Sequence, residues 1–160
     1  MTVAPVPVPI GEPAPGLFAR NQYGETVRAA DLHGKQALLV FYPWAFSRIC
    51  TSELAGLRAR ADELARSRTR VLAISCDAMF TLRAYAEAEN LPFELLSDHW
   101  PHGAIARAYG VFDEQAGVAA RGSFLIDPTG VVRWSVVNEI GDGRDIDAHL
   151  AAVFRWPRTA

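Results

Sequence analysis

A cysteine three residues after a hydroxyl side chain, where a strand-like run gives way to a helix-like one, is the arrangement in this chain best suited to chemistry. The stretch is Phe41-Tyr42-Pro43-Trp44-Ala45-Phe46-Ser47-Arg48-Ile49-Cys50-Thr51-Ser52-Glu53. Ala37 to Tyr42 reads as a buried strand that breaks at Pro43. Leu54, Leu57, Ala61, Leu64 and Ala65 then recur at spacings of three and four, the pattern of one amphipathic helix. Ser47 is the expected N-cap, which places Cys50 in the first helical turn. Backbone N–H groups there lack helical partners, and the helix dipole presents its positive end. A thiol in that field loses its proton more readily, and the thiolate is the nucleophilic form. The competing reading of a lone cysteine is a small buried apolar residue.

The elements around this stretch alternate in type. Gln22-Tyr23-Gly24-Glu25 marks a turn between two short extended pieces. Val71 to Ser75 reads as a second buried strand, Ala78 to Asn90 as a helix stopped by Leu91-Pro92, and Phe93 to Leu96 as a short strand. His102 to Ala108 is a short helix ending near Gly110. Asp127-Pro128-Thr129-Gly130 joins Ser123–Ile126 and Val131–Val137 as a hairpin, and Asp145 to Phe154 closes the chain as a helix. Such an order predicts an α/β fold with a sheet covered on both faces.

At 160 residues the chain is expected to be one domain with a single core, residues 1–16 forming a Pro-rich leader, flexible or extended. The formal net charge of −2 gives no general attraction to nucleic acid or an anionic membrane. Arg58, Arg60, Asp62, Glu63, Arg66 and Arg68 interleave opposite signs and read as a solvated helix face. The N-terminus lacks the basic start and continuous apolar core of a secretory signal, and no segment is long enough to span a bilayer, so a cytoplasmic location is expected. Two cysteines, Cys50 and Cys76, are too few for a disulfide scaffold.

Pro43, Ser47 and Cys50 match the P-x-x-x-[T/S]-x-x-C signature of the peroxiredoxins, and the chain resembles that family along nearly its whole length. Ile10-Gly11-Glu12-Pro13-Ala14-Pro15 is similar to the family's opening, and Gly34-Lys35 precedes the first long strand as it does there. Ser97-Asp98-His99-Trp100-Pro101-His102-Gly103, Ala108 to Glu114 and Arg121-Gly122-Ser123-Phe124-Leu125-Ile126-Asp127 are similar to its one-cysteine alkyl hydroperoxide reductase E branch.

The resemblance implies a thioredoxin-like fold, with a central mixed sheet and helices on both faces. It also implies a thiol-dependent peroxidase acting on hydrogen peroxide and organic hydroperoxides, with peroxynitrite a further candidate oxidant. Cys50 is then the peroxidatic residue, whose thiolate attacks the terminal peroxide oxygen and becomes a sulfenic acid. Ser47 supplies a hydroxyl able to contact peroxide or thiolate, beside its capping role; the family more often has threonine there. Arg121 matches the active-site arginine, and Pro43 both ends the strand and shields the sulfur from water. Glu53 supports an arginine by an ion pair, or simply follows the acidic preference of a first helical turn. Trp44 and the apolar loop Trp44-Ala45-Phe46 line the substrate entrance or a homodimer contact.

Cys76 is a candidate resolving cysteine at an unusual spacing, with a buried spectator thiol as the stronger alternative. In the latter case an external thiol re-reduces Cys50, and the resemblance implies mycothiol with mycoredoxin, or thioredoxin. No metal, haem or flavin is expected, since sulfur carries the redox change; the spacing of Asp98, His99 and His102 matches no strong ligand motif. A thioredoxin-like disulfide oxidoreductase and a non-enzymatic redox sensor are the rival functions, the first disfavoured by the missing C-x-x-C pair.

Overall fold

A computed structural model describes residues 6–156. Its centre is a seven-stranded mixed sheet in the order β2-β1-β5-β4-β3-β8-β9. The strands are β1 (Phe18–Asn21), β2 (Thr26–Arg28), β3 (Gln36–Phe41), β4 (Thr69–Ser75), β5 (Glu94–Ser97), β8 (Arg121–Ile126) and β9 (Val132–Asn138). β3, β4 and β5 run parallel, and β8 lies antiparallel on the other side of β3. The expected hairpin is β8–β9, closed by Asp127 to Val131. A second hairpin, β6 (Phe112–Asp113) with β7 (Val118–Ala119), was not legible from periodicity because each strand is two residues long.

The sheet separates two cores. Leu39, Phe41, Leu72 and Ile74 point to one face, where α4 (Ala104–Ala108) and a 3-10 turn at Ala29–Leu32 cover them. Leu38, Val40, Val71 and Ala73, the alternate positions, point to the other. That face carries α1 (Arg48–Ala59), α2 (Ala61–Arg66), α3 (Met79–Glu89) and α5 (Ile146–Arg155). The thioredoxin-like architecture with helices on both faces is therefore present.

One expectation needs correction. The apolar repeat from Leu54 to Ala65 belongs to two helices, because Arg60 leaves helical geometry (φ −108°, ψ 14°) and restarts the chain as α2. Leu54 and Leu57 of α1 and Leu64 of α2 enter the same core across the break, while Ala61 is half-buried and Ala65 exposed. Arg60 then pairs with Glu63 at 2.6 Å and with Asp147 of α5 at 2.8 Å.

The described part of the Pro-rich leader is extended and tied down. Val8 N–H donates to the Tyr109 carbonyl, Gly11 N–H to Val132 and Ala14 N–H to Gly130. Gly110 explains the close approach: its φ is +73°, and a Cβ there would lie 1.9 Å from the Val6 carbonyl oxygen.

Candidate active site

β3 ends by delivering Tyr42 and Pro43, both buried, to the N-terminus of α1. The loop between them is held from the next strand: the Asp77 carboxylate accepts the Ala45 N–H at 2.9 Å and the Ser75 hydroxyl at 2.7 Å. Phe46 has a left-handed backbone, φ 68°, unusual for a large side chain and found most often where geometry is constrained for function. Its ring sits 4.9 Å from that of Tyr85 on α3. Trp44 and Phe46 are exposed at the rim.

Ser47 occupies the N-cap position with extended backbone, but its hydroxyl does not cap the helix. It donates instead to the Trp44 carbonyl at 2.9 Å, so the expected side-chain cap is absent. The first helical bond runs from Thr51 N–H to the Ser47 carbonyl, which leaves the N–H groups before it, that of Cys50 included, without an acceptor in the helix. Cys50 is thus in the first turn of α1 and fully buried.

Opposite the sulfur stands β8. Arg121, Ser123 and Leu125 alternate along one face of this strand, towards α1 and α5. Arg121 Nη1 lies 3.3 Å from Cys50 Sγ and also donates to the Glu53 carboxylate, while its Nε donates to the Ile140 carbonyl at 2.6 Å. Glu53 is buried one turn after Cys50 and holds a second guanidinium. Its Oε2 accepts the backbone N–H and Nε of Arg144 at 2.7 and 2.8 Å, and its Oε1 accepts Arg144 Nη2 at 3.0 Å. Burial works against the Glu53 carboxylate, yet the bonds and charge of Arg144, with Arg121, outweigh it and hold the carboxyl below its ordinary range. Two buried cations share one anion. The cluster therefore carries one positive charge in excess, beside the Cys50 sulfur.

Arg144, Ser123 and His149 complete this cluster and were missed by sequence reasoning. Arg144 stands in the Gly141-Asp142-Gly143 connection, where an arginine reads as a solvated loop residue. The one available signal was its place directly before Asp145, whose side chain caps α5 by accepting the Asp147 and Ala148 N–H groups.

Cys76 is not brought to Cys50. It continues the parity of Leu72 and Ile74 and packs in the core on the opposite face of the sheet. Burial, aided by the negative charge of Asp98, pushes its thiol up to about 12. The Asp98 carboxylate accepts the Ile105 and Ala106 N–H groups at 2.9 Å each. His99 Nδ1 lies 3.3 Å from the Cys76 carbonyl, and His102 Nε2 lies 2.6 Å from that of Gly117. Among the described residues no group of three or more His, Cys, Asp or Glu side chains is placed to hold a metal ion.

Residues 10–135, most of the chain and all of the Cys50–Glu53–Arg121 arrangement, match the AhpC/TSA family. The chain belongs to that family. Within it, the chain is 42% identical over 137 residues to alkyl hydroperoxide reductase E of Mycobacterium tuberculosis, covering 85% of this chain and 90% of that one. It is 36% identical over 153 residues to peroxiredoxin tpx1 of Schizosaccharomyces pombe, covering 88% and 78%. Among solved structures, AhpC of Enterococcus faecalis superposes with a TM-score of 0.85 at 27% identity, covering 91% of this chain and 90% of that one. As an AhpC/TSA protein the chain is a thiol-dependent peroxidase. No helix among the described residues is long and apolar enough to cross a membrane.

Proposed function

We propose that Cys50 is the sulfur that reduces hydroperoxides, in a one-cysteine cycle. The observation that carries this reading is the 3.3 Å approach of Arg121 Nη1 to Cys50 Sγ in a buried cluster whose single carboxylate, Glu53, is shared by two arginines. The thiolate attacks the terminal oxygen of ROOH. An S–O bond forms, the O–O bond breaks, and RO⁻ takes up a proton to leave as ROH or water. The sulfur gains the oxygen and is oxidised by two electrons to a sulfenic acid.

Charge moves from sulfur to the departing oxygen, so fixed donors around the pair stabilise the transition state more than the ground state. Arg121 supplies them from one side, and the unpaired N–H groups of the α1 first turn from the other. The Ser47 hydroxyl proton is committed to Trp44, which leaves its lone pairs to accept from a peroxide O–H. Pro43 excludes water behind the sulfur.

An external thiol then attacks the sulfenic sulfur, releasing water and leaving a mixed disulfide, and a second thiol frees Cys50. The opposite-face burial of Cys76 supports a spectator role for it. Mycothiol with mycoredoxin, or thioredoxin, fits the reductant, and cytoplasmic thiols are where such a cycle runs. The exposed Trp44 and Phe46, in the loop leading to Cys50, favour organic hydroperoxides as substrates or a homodimer contact.

Mass spectrometry after one equivalent of peroxide tests the assignment. A sulfenic acid, or its adduct with an added thiol, is expected on Cys50, and Cys50→Ser removes peroxide consumption. A Cys50–Cys76 disulfide as the main product would overturn the one-cysteine cycle, and fast consumption by Cys50→Ser would overturn the site.

A further inference from the structure

Behind the arginines lies a pair of polar side chains that the reaction does not touch and that the core does not need. Ser123 stands in the middle of β8 and His149 on the buried face of α5; neither has any exposed surface. Buried polar groups persist where every bond is satisfied, and these satisfy each other in one direction only. His149 Nδ1 lies 2.7 Å from the Asp145 carbonyl, which can only accept, so the ring proton resides on Nδ1. Nε2 is then an acceptor and takes the Ser123 hydroxyl proton at 2.7 Å. With its proton assigned, Ser123 Oγ accepts Arg144 Nη1 at 3.0 Å, and the same nitrogen donates to the Gly122 carbonyl at 3.0 Å. The ring is fixed in turn by Trp134 of β9, edge-on at 4.9 Å.

We propose that Ser123 and His149 are positioning residues of the peroxide site, orienting Arg144 so that Glu53 in turn aims Arg121 at the Cys50 sulfur. The direction of every bond is fixed: His149 donates to the Asp145 carbonyl, Ser123 to His149, Arg144 to both Ser123 and Glu53, and Arg121 to both Glu53 and the Cys50 sulfur. Each link sets the rotamer of the next, and no link can reverse. The arrangement needs a neutral imidazole, since a protonated ring would offer a second donor to Ser123 and place a cation beside Arg144. Burial and the charge of Arg144 keep the ring neutral, against the Asp145 carbonyl, which favours the charged form. The charged groups facing the ring are Arg144, Asp145 and, across the cluster, Glu53. A site held to a fraction of an ångström loses rate when its supporting residues slacken, even if they never meet the substrate.

This inference rests on Cys50 as the reacting sulfur, and one set of stopped-flow measurements separates the two. Tryptophan fluorescence follows oxidation of the reduced full-length protein by hydrogen peroxide from pH 5 to 9 in wild type, Ser123→Ala, Ser123→Thr, His149→Phe, the Ser123→Ala/His149→Phe double variant and Cys50→Ser. Ser123→Ala is expected to slow oxidation about 10-fold and to move the pH–rate profile to higher pH, as Arg121 loses its aim. Ser123→Thr, which restores the hydroxyl, recovers most of that rate. The double variant is expected to be no slower than the worse single one, because the two residues act in series. A folded Ser123→Ala protein with wild-type rate and profile overturns the proposal, as does an equal loss in Ser123→Thr; the serine pair decides the matter even if His149→Phe does not fold. Peroxide turnover by Cys50→Ser overturns the underlying assignment instead.

Discussion

One guanidinium nitrogen of Arg121 serves two partners at once, the Cys50 sulfur at 3.3 Å and the Glu53 carboxylate. Its Nε is bound separately to the Ile140 carbonyl, so the plane of the guanidinium is fixed from the far side. The charge that meets the sulfur is therefore held by backbone as well as by a buried acid. A point charge on a flexible stem cannot reproduce that fork. Arg121→Lys and Arg121→Ala are both expected to slow oxidation of Cys50 by peroxide about 10²–10³-fold, measured by stopped-flow fluorescence. A lysine variant within a few-fold of wild type would show that charge alone suffices.

Glu53 is the counterion of two arginines with almost no exposed surface, and removing its charge leaves both uncompensated. Breaking a buried ion pair on one side typically costs about 3–5 kcal/mol. Glu53→Gln should lose stability of that order, read as a shift of the urea midpoint without a change in slope, and should also oxidise more slowly. An unchanged midpoint would mean that the arginines find water or other partners.

Cys76 should behave as a silent thiol. With burial pushing it up to about 12, it is expected to resist iodoacetamide at pH 8 in the native protein and to label once the chain is unfolded. Cys76→Ser is expected to leave the first oxidation within about twofold of wild type, since the thiol adds nothing to the nucleophile across the sheet. A tenfold slower variant would tie the two faces together.

The buried imidazole makes a statement about acid stability. His149 falls from an ordinary 6.5 to about 4 because burial, reinforced by Arg144, disfavours its charged form. Between those two values the unfolded chain binds a proton that the folded one does not, so stability is full above pH 6.5 and declines as pH falls towards 4. The shift corresponds to about 3 kcal/mol across that window. Chemical denaturation at pH 7 and pH 5 should show the decline in wild type, and His149→Phe should flatten it. Glu53, whose carboxyl is held low, adds a further loss below pH 5 in both proteins.

Most of the parallel core was legible because β3 and β4 are buried on both faces and read as continuous apolar runs. Cys50, Ser47 and Pro43 were legible for a related reason: their spacing is local, and a strand end followed by a helix start is written in consecutive residues. Arg121 came from the resemblance of its surrounding residues, since an arginine at a strand start gives no sign of its partner 71 positions away. Ser123 lies in that same block without a role of its own, and Arg144 lies outside it. Their significance depends on β8 lying beside β3, and on α5 returning to the same face, facts of topology with no local pattern. Ser47 shows the converse limit: its position was read correctly, but a hydroxyl able to accept a first-turn N–H or to donate to a nearby carbonyl turned to the Trp44 carbonyl, a choice of rotamer that residue type does not specify.

The seat that Gly110 makes for the Val6 carbonyl turns the first stretch of the chain into a latch on the sheet face remote from chemistry. Paring the protein back past Val8 would unfasten Tyr109 and its neighbours while sparing the catalytic half, so an N-terminal fusion is best joined through a spacer that lets this latch shut.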